Sequence, residues 1–523
     1  EADGVCLACV FGDALVAGAM GGSEEGADSR FGSFAPQAAG AFAAINAAGS
    51  QAGNNIMITV TADVATENGL NQLNNGGWTT LTINPFGNRT LSGSANISLI
   101  RLSGAANVTI NGLNTGGNSL AISNSNIGAS ASTIMFANDA SGNTIQNCNI
   151  LGCGSNLGVI FFTTGTLTGN NNNTITQCNI SAAAGGNPAN GILSVGTSAV
   201  IPNRNNTVTV CNISDYFSAG NASTGLNINS NNSDWTITNN TFYQTATRIY
   251  TTASTHNGIL VNSGSGYIIN NNVIGFAAPN ATGTTNMIGL NSGSLGGTFP
   301  SAFTAGGAAN ATRFVGINCF FAAGAAVSSI QNNTIGGIAI YSSGVSTTLG
   351  TLCGIAVLNG NANIGTITGN TIGSTSAAGS LYAANTLAGG VISGIYCTTT
   401  NTITIQNNTV GGIDVSGTTT TTAAGFKGIE VAGTGTYTVS DNNIGNATPD
   451  NIRTGYLLTG VNLSNSATTP TVASGASVNQ AILSSSAGAT LNINNNIIKG
   501  ILMSGSDASF TGISNTGAVT NTI

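Results

Sequence analysis

Charge is almost missing from this chain. Nine Lys and Arg and sixteen Asp and Glu make up 5% of 523 residues and leave a net charge of −7. Soluble domains carry charge on roughly a quarter of their residues, so hydroxyls and amides must cover this surface instead. Nine scattered cations cannot build the basic track that neutralises a phosphate backbone, which excludes nucleic acid as a partner. No apolar run reaches the roughly 18 residues of a membrane span. Val5 to Met20 comes nearest and is interrupted by Gly12 and Asp13, so direct membrane insertion is excluded too. The single histidine, His256, stands in a Thr-rich stretch without matching ligands, and the sequence calls for no metal or other cofactor. Disorder is excluded by the 41% of hydrophobic residues. The chain opens at Glu1 without a methionine, so a missing leader carries no information.

What is abundant is Gly, Asn, Ser and Thr, arranged in a repeat. In Ile405-Gln-Asn-Asn-Thr-Val-Gly-Gly-Ile413 the first and sixth positions are apolar and the fourth is small and polar. Copies begin at Ile122, Ile145, Ile175, Val208, Ile237, Ile269, Ile330, Ile367, Ile405, Val439 and Ile493, mostly 29 to 38 residues apart. No helical period fits them, and such spacing marks a solenoid. A second signature, Gly followed by an apolar residue, recurs at Gly158, Gly191, Gly225, Gly258, Gly316, Gly354, Gly394, Gly428, Gly460 and Gly512. It precedes the next anchor by 11 residues at Gly258, Gly394 and Gly428, so each coil holds at least two anchored strands.

The expected fold is all-β, a right-handed parallel β-helix of about 11–13 coils. Its parts are an N-terminal segment of unclear structure at 1–35, a capping helix and entry at 36–55, and the β-helix at 56–523. The helix is read from Pro36 to Ala48, ended by Gly49. Long excursions, Phe276 to Phe314 and Ser464 to Thr490, are expected to project as loops. The last coil begins at Gly512, and the next anchor falls due at Ile523, so continuation of the chain or docking of this end on another subunit is expected.

Read down the repeat, the fourth position gives Ser125, Cys148, Cys178, Cys211, Asn240, Asn272, Asn333, Asn370, Asn408, Asn442 and Asn496. Stacked coils place equivalent residues above one another, so these form a structural ladder in which amides bond to the coils above and below. The three cysteines read as small buried core residues, although the spacing of adjacent coils also permits a disulfide. Cys319 and Cys397 fall at the fourth position of the Gly-Ile strand and again read as core. Cys6-Leu-Ala-Cys9 is half of a redox or metal motif without its second half.

No catalytic cluster stands out. Sugar-bond hydrolysis needs two carboxylates facing one bond, and elimination needs a base and an anion stabiliser. Asp139, Asp215, Asp234, Asp414, Glu430, Asp441, Asp450 and Asp507 look isolated. Asp414, Lys427 and Glu430 fall within one coil and read as a solvated surface trio. Trp235, Tyr243, Tyr250 and Tyr267 are either a sugar-stacking patch or packing under loops. Thr418 to Thr422 is too irregular to order water.

The runs Ala44-Ile-Asn-Ala-Ala-Gly49, Ile56-Met-Ile-Thr-Val60, Leu81-Thr-Ile-Asn-Pro85, Ile100 to Gly112 and Asn143-Thr-Ile-Gln-Asn-Cys-Asn-Ile150 resemble large secreted right-handed β-helix proteins of Bacteroidota and related bacteria. Many of that group are cargo of the type 9 secretion system. The resemblance covers residues 40 to 523, without the group's C-terminal sorting domain. It implies an extracellular or cell-surface location and a role in surface structure or adhesion. The expected function is a non-catalytic structural or adhesive solenoid that self-associates, end to end into filaments, or belongs to a longer chain. The alternative is a protein that binds or degrades polysaccharide.

Overall fold

A computed structural model describes residues 7–11, 38–300, 302–323, 326–344, 349–374, 380–386, 390–417, 424–445, 451–457, 478–484, 490–499, 501–503, 509–515 and 520–522. Two compact units divide the chain: Glu1–Tyr216 with Leu226–Asn240, and Phe217–Gly225 with Thr241–Ile523. Each is a parallel β-solenoid.

In the N-terminal unit several strands are only three residues long, such as Thr174–Thr176 and Thr207–Thr209. Their Thr-Ile-Thr and Thr-Val-Thr triplets put the apolar residue inward and both threonines outward, because successive side chains of a strand face opposite ways. Ile145, Ile175 and Val208 then stack in register along the first sheet. Ile150, Ile180 and Ile213 do so along the second, and Ile134, Ile160 and Ile192 along the third. Helix Ala38–Ala47 lies where it was expected and buries Ala41, Phe42 and Ile45. The segment before it, which shares no repeat, supplies strand Leu7–Phe11, paired in parallel with Asn55–Val60.

The C-terminal unit builds its coil from four strands, for example Thr402–Gln406, Thr409–Gly411, Ile413–Gly417 and Ala424–Val431. The fourth sheet is absent from the sequence reading. It takes Thr285–Gly289 out of the Phe276–Phe314 excursion, which also forms the antiparallel hairpin Leu295–Thr298 with Ala302–Ala305. Most of Ser464–Thr490 lies outside the described residues, but Val478–Ser484 is a strand of the third sheet. The Gly-Ile signature has a steric cause: a Cβ at Gly354 would lie 2.6 Å from the Gly394 carbonyl oxygen and 2.6 Å from Ile372. Strand Ser509–Asn515 holds Gly512, and Thr520–Thr522 pairs with Thr490–Asn494 just before Ile523, which lies outside the described residues.

Two anchors differ from the sequence alignment. Ile122 pairs with Ile150 in the second sheet, not with the first-sheet residue Ile145, so Ser125 does not join the fourth-position series. Ile364, rather than Ile367, pairs with Ile330 and Ile405; Ile367 sits in an insertion at 83% exposure. In both places the apolar spacing survived while the pairing moved.

Candidate functional site

The fourth-position residues of the C-terminal unit lie in one continuous hydrogen-bonded column. Asn272 donates from Nδ2 to Asn333 Oδ1 at 3.0 Å, Asn333 to Asn370 at 2.9 Å, and Asn370 to Asn408 at 2.8 Å. Asn408 donates to Asn442 and Asn442 to Asn496, each at 3.0 Å. From Asn333 to Asn496 each amide also reaches back to a strand carbonyl, as Asn408 Nδ2 does to Ile364 O at 3.0 Å. The preceding residue turns the chain with positive φ at Asn271, Asn332, Asn407, Asp441 and Asn495. Asparagine tolerates that left-handed region better than most residues, which explains the Asn-Asn doublets.

In the N-terminal unit, Asn240 accepts the Cys211 backbone N–H and donates to Val208 O at 2.8 Å. Cys148, Cys178 and Cys211 are buried free thiols, donating to Gln146 O, Thr176 O and Thr209 O at 3.1 to 3.3 Å. Hydrogen bonding with Cys178, reinforced by burial, pushes the Cys148 and Cys211 thiols up. Cys319 and Cys397 are fully buried, and burial raises both well above the ordinary thiol range. Cys9 lies on the first strand of the unit; Cys6 lies outside the described residues. A second amide column, Asn143 to Asn173 to Asn206 at 2.9 and 3.1 Å, escaped the sequence reading because these residues precede the anchor rather than follow it.

Asp139 and His256 have structural surroundings. Burial works to raise the Asp139 carboxyl, but hydrogen bonds from Thr166, Thr168, Gly169 and Leu167 overcome it and hold the group at about 2. His256 accepts the Ser223 N–H at Nδ1 over 3.1 Å and lies against Tyr250, ring centroids 3.6 Å apart. Burial depresses it to about 3, so it is neutral. Trp235, Tyr250 and Tyr267 are likewise buried, Trp235 edge-on to Phe162 and bonded to Asn203 O, so packing, not a sugar platform, is their arrangement; Tyr243 is half-buried.

Asp414, Lys427 and Glu430 depart most from expectation. They are not a solvated trio. Asp414 is 1% exposed and Glu430 5%. Burying a carboxylate is costly unless it is paired, and both are: Arg453 reaches Asp414 at 2.5 Å, and Lys427 reaches Glu430 at 2.8 Å. The cations are the accessible members, with side chains 19% and 24% exposed. Strand Ile413–Gly417 of the fourth sheet carries Asp414 in register with Tyr382 and Arg453. The following strand of the same coil, Ala424–Val431, carries Lys427 in register with Ser393 and Glu430 with Tyr396. Lys427 and Glu430 both face outward although three residues apart, because Gly428 interrupts the alternation between them. The two carboxylates lie on consecutive strands of one coil, each with its own cation, and Tyr382 and Tyr396, in register with them, are buried. Sequence alone could not show this, because Arg453 comes from the next coil.

The fold and this cluster define a parallel β-solenoid with a charged patch on its outer strands. No family model matches the chain, and no curated protein matches it either. Among solved structures it is similar to the Azotobacter vinelandii mannuronan C-5 epimerase AlgE4 A-module, at 13% identity over 91% of this chain and 94% of that one, TM-score 0.26. The Agl-KA catalytic domain is 16% identical over 88% of this chain and 64% of that one, TM-score 0.26. A PL6 family alginate lyase, AlyGC, is 9% identical over 88% of this chain and 98% of that one, TM-score 0.16. The expectation of a non-enzyme finds no support among these structures, which are of an epimerase, a catalytic domain and a lyase, and at such TM-scores they assign this chain no activity of their own. Its premise also fails, because Asp414 and Glu430 are buried and paired rather than isolated in solvent.

Among the described residues no helix is long and apolar enough to cross a membrane.

Proposed function

We propose that the chain is a secreted polysaccharide-active β-solenoid that takes an acidic polysaccharide at the Lys427–Arg453 patch. The observation that supports this reading is that each of these cations is held in place by a buried carboxylate while its own side chain stays partly exposed. An anchored cation pays little ordering entropy when an anion arrives. Seated against Arg453 and Lys427, a uronate carboxylate would have its charge neutralised, which acidifies the adjacent C–H. Tyr382 and Tyr396, in register with Asp414 and Glu430 one coil away, are buried, so proton transfer falls to the Glu430 carboxylate beside the partly exposed Lys427.

The reaction class that fits is abstraction of that proton. The carbanion then either expels the 4-linked oxygen, which leaves with a proton, or is reprotonated. The near absence of charge elsewhere suits an extracellular protein, and export by type 9 secretion follows only from the resemblance of its repeats.

Incubation with polyuronates and neutral glucans in D₂O tests the reading. Unsaturated ends or deuterium at C5, seen with polyuronates alone and lost in Lys427→Met, are expected. Neither binding nor turnover with any acidic polymer overturns it.

A further inference from the structure

We propose a second, independent carbohydrate site in the N-terminal unit, built for a neutral sugar. A pocket of about 470 Å³ opens between helix Ala38–Ala47 and the coil that follows it, walled by Asn46, Ser50, Asn74, Asn75, Gly76 and Trp78. That volume falls within the range of small-molecule sites, roughly 300–1,000 Å³. Its lining contains no charged residue. It therefore lacks the cations that would favour the acidic ligand of the Lys427–Arg453 patch, and the two sites differ in ligand chemistry.

The wall is rigid. Trp78 is 4% exposed, and its indole N–H donates to Ala106 O at 2.7 Å, which fixes the ring. Gly76 lies against that ring: a Cβ there would come within 2.8 Å of it. Asn46 ties the helix to the coil, donating to Gln72 O at 2.8 Å and accepting the Asn74 N–H at 3.1 Å. The remaining groups are poised as donors. Asn74 Oδ1 accepts from Gln72 Nε2, and Asn75 Oδ1 accepts from the Gly77 N–H. Both carbonyl ends are thus occupied, while both amide NH₂ groups remain open to solvent beside the Ser50 hydroxyl. Trp78 is buried and closes the pocket rather than offering a stacking face, and the uncharged amide and hydroxyl donors around it suit the ring of hydroxyl oxygens of a pyranose. A purely apolar ligand would leave those donors desolvated without partners.

The chain has only two tryptophans, and the other, Trp235, is fully buried. Fluorescence of a Trp235→Phe variant therefore reports Trp78 alone, and the Trp78 indole N–H signal in the NMR spectrum of the unaltered protein gives the same information without a substitution. Titration with neutral gluco-, manno- and galacto-oligosaccharides is expected to shift both signals saturably. Asn74→Ala with Asn75→Ala should weaken that binding by about tenfold or more, since each lost hydrogen bond is worth about 0.5–1.5 kcal/mol, with the melting temperature unchanged because both side chains are exposed. Gly76→Val should abolish it. No saturable shift with any neutral saccharide at millimolar concentration, or a shift indifferent to these substitutions, overturns the proposal. Loss of polyuronate turnover in Lys427→Met leaves this titration unaffected, so the two sites fail separately.

Discussion

Asn442 Oδ1 accepts two hydrogen bonds from one residue of the coil before it: the backbone N–H of Asn408 and its side-chain Nδ2, each at 3.0 Å. The same double contact joins Asn370 to Asn408. A single side chain thus closes its own turn and the turn of its neighbour. Asn408→Leu removes both functions. It leaves the Asn370 N–H and the carbonyls of Ile364 and Gln406 without their partner. A buried orphan costs about 1–3 kcal/mol, so a loss of about 3–5 kcal/mol is expected in urea unfolding of this unit. An unchanged midpoint would show that the column does not stabilise the coil.

The turn residue just before the column gives a prediction of opposite sign. Val210 has φ +55 and is 51% exposed, at the position where Asn239 occupies the same region at +59. The left-handed conformation costs an ordinary residue about 1–2 kcal/mol and a β-branched one is worst suited to it. Val210→Asn should therefore stabilise the protein by about 1 kcal/mol, while Asn239→Val should cost a similar amount. Thermal melts of the two variants shifting in the same direction would contradict this account.

Much of this fold is legible in the chain because stacking converts position in a repeat into position in space. Ile405, Asn408 and Val410 each sit in a column of like residues, so their spacing carries the core and the turn together. Where an insertion breaks the count, spacing misleads: Ile367 mimics an anchor, yet Ile364 takes the place in the sheet. Ile122 mimics one too, although its pairing belongs to the second sheet. The fourth sheet and the burial of Asp414 are illegible for a different reason. A charge's surroundings depend on strands from other coils, here Leu381–Asn385 and Ile452–Leu457, and no local pattern encodes that contact.

Acid should destabilise the C-terminal unit through His256. Its folded value of about 3 lies below the unfolded value of 6.5, so the unfolded chain binds the proton first. The neutral imidazole's contribution is complete above pH 6.5 and is lost progressively as the pH falls toward 3. At pH 4.5 the loss from this group alone is about 3 kcal/mol. His256→Gln keeps an acceptor for the Ser223 N–H but cannot titrate. Its stability between pH 7 and 4.5 should fall less than that of the parent by about that amount, and parallel pH profiles of the two proteins would exclude His256 as the cause.

Lys427 and Arg453 should separate binding from stability. Asp414 is the more deeply buried carboxylate, so Arg453→Met strands a charge, a change that typically costs about 3–5 kcal/mol. Pairing it with Asp414→Asn removes the stranded charge and should restore most of that loss. Lys427 is the most open member of the cluster, and its pair with Glu430 joins residues of one strand. Lys427→Met should therefore lower stability by only about 1–2 kcal/mol while removing polyuronate binding as completely as the Arg453→Met, Asp414→Asn double variant does. Binding by the parent should also weaken as salt is raised, because the cations' side chains are partly exposed and ions screen them. If the refolded double variant binds polyuronate as tightly as the parent, the cations serve the fold alone, and the acidic ligand must be sought elsewhere on the molecule.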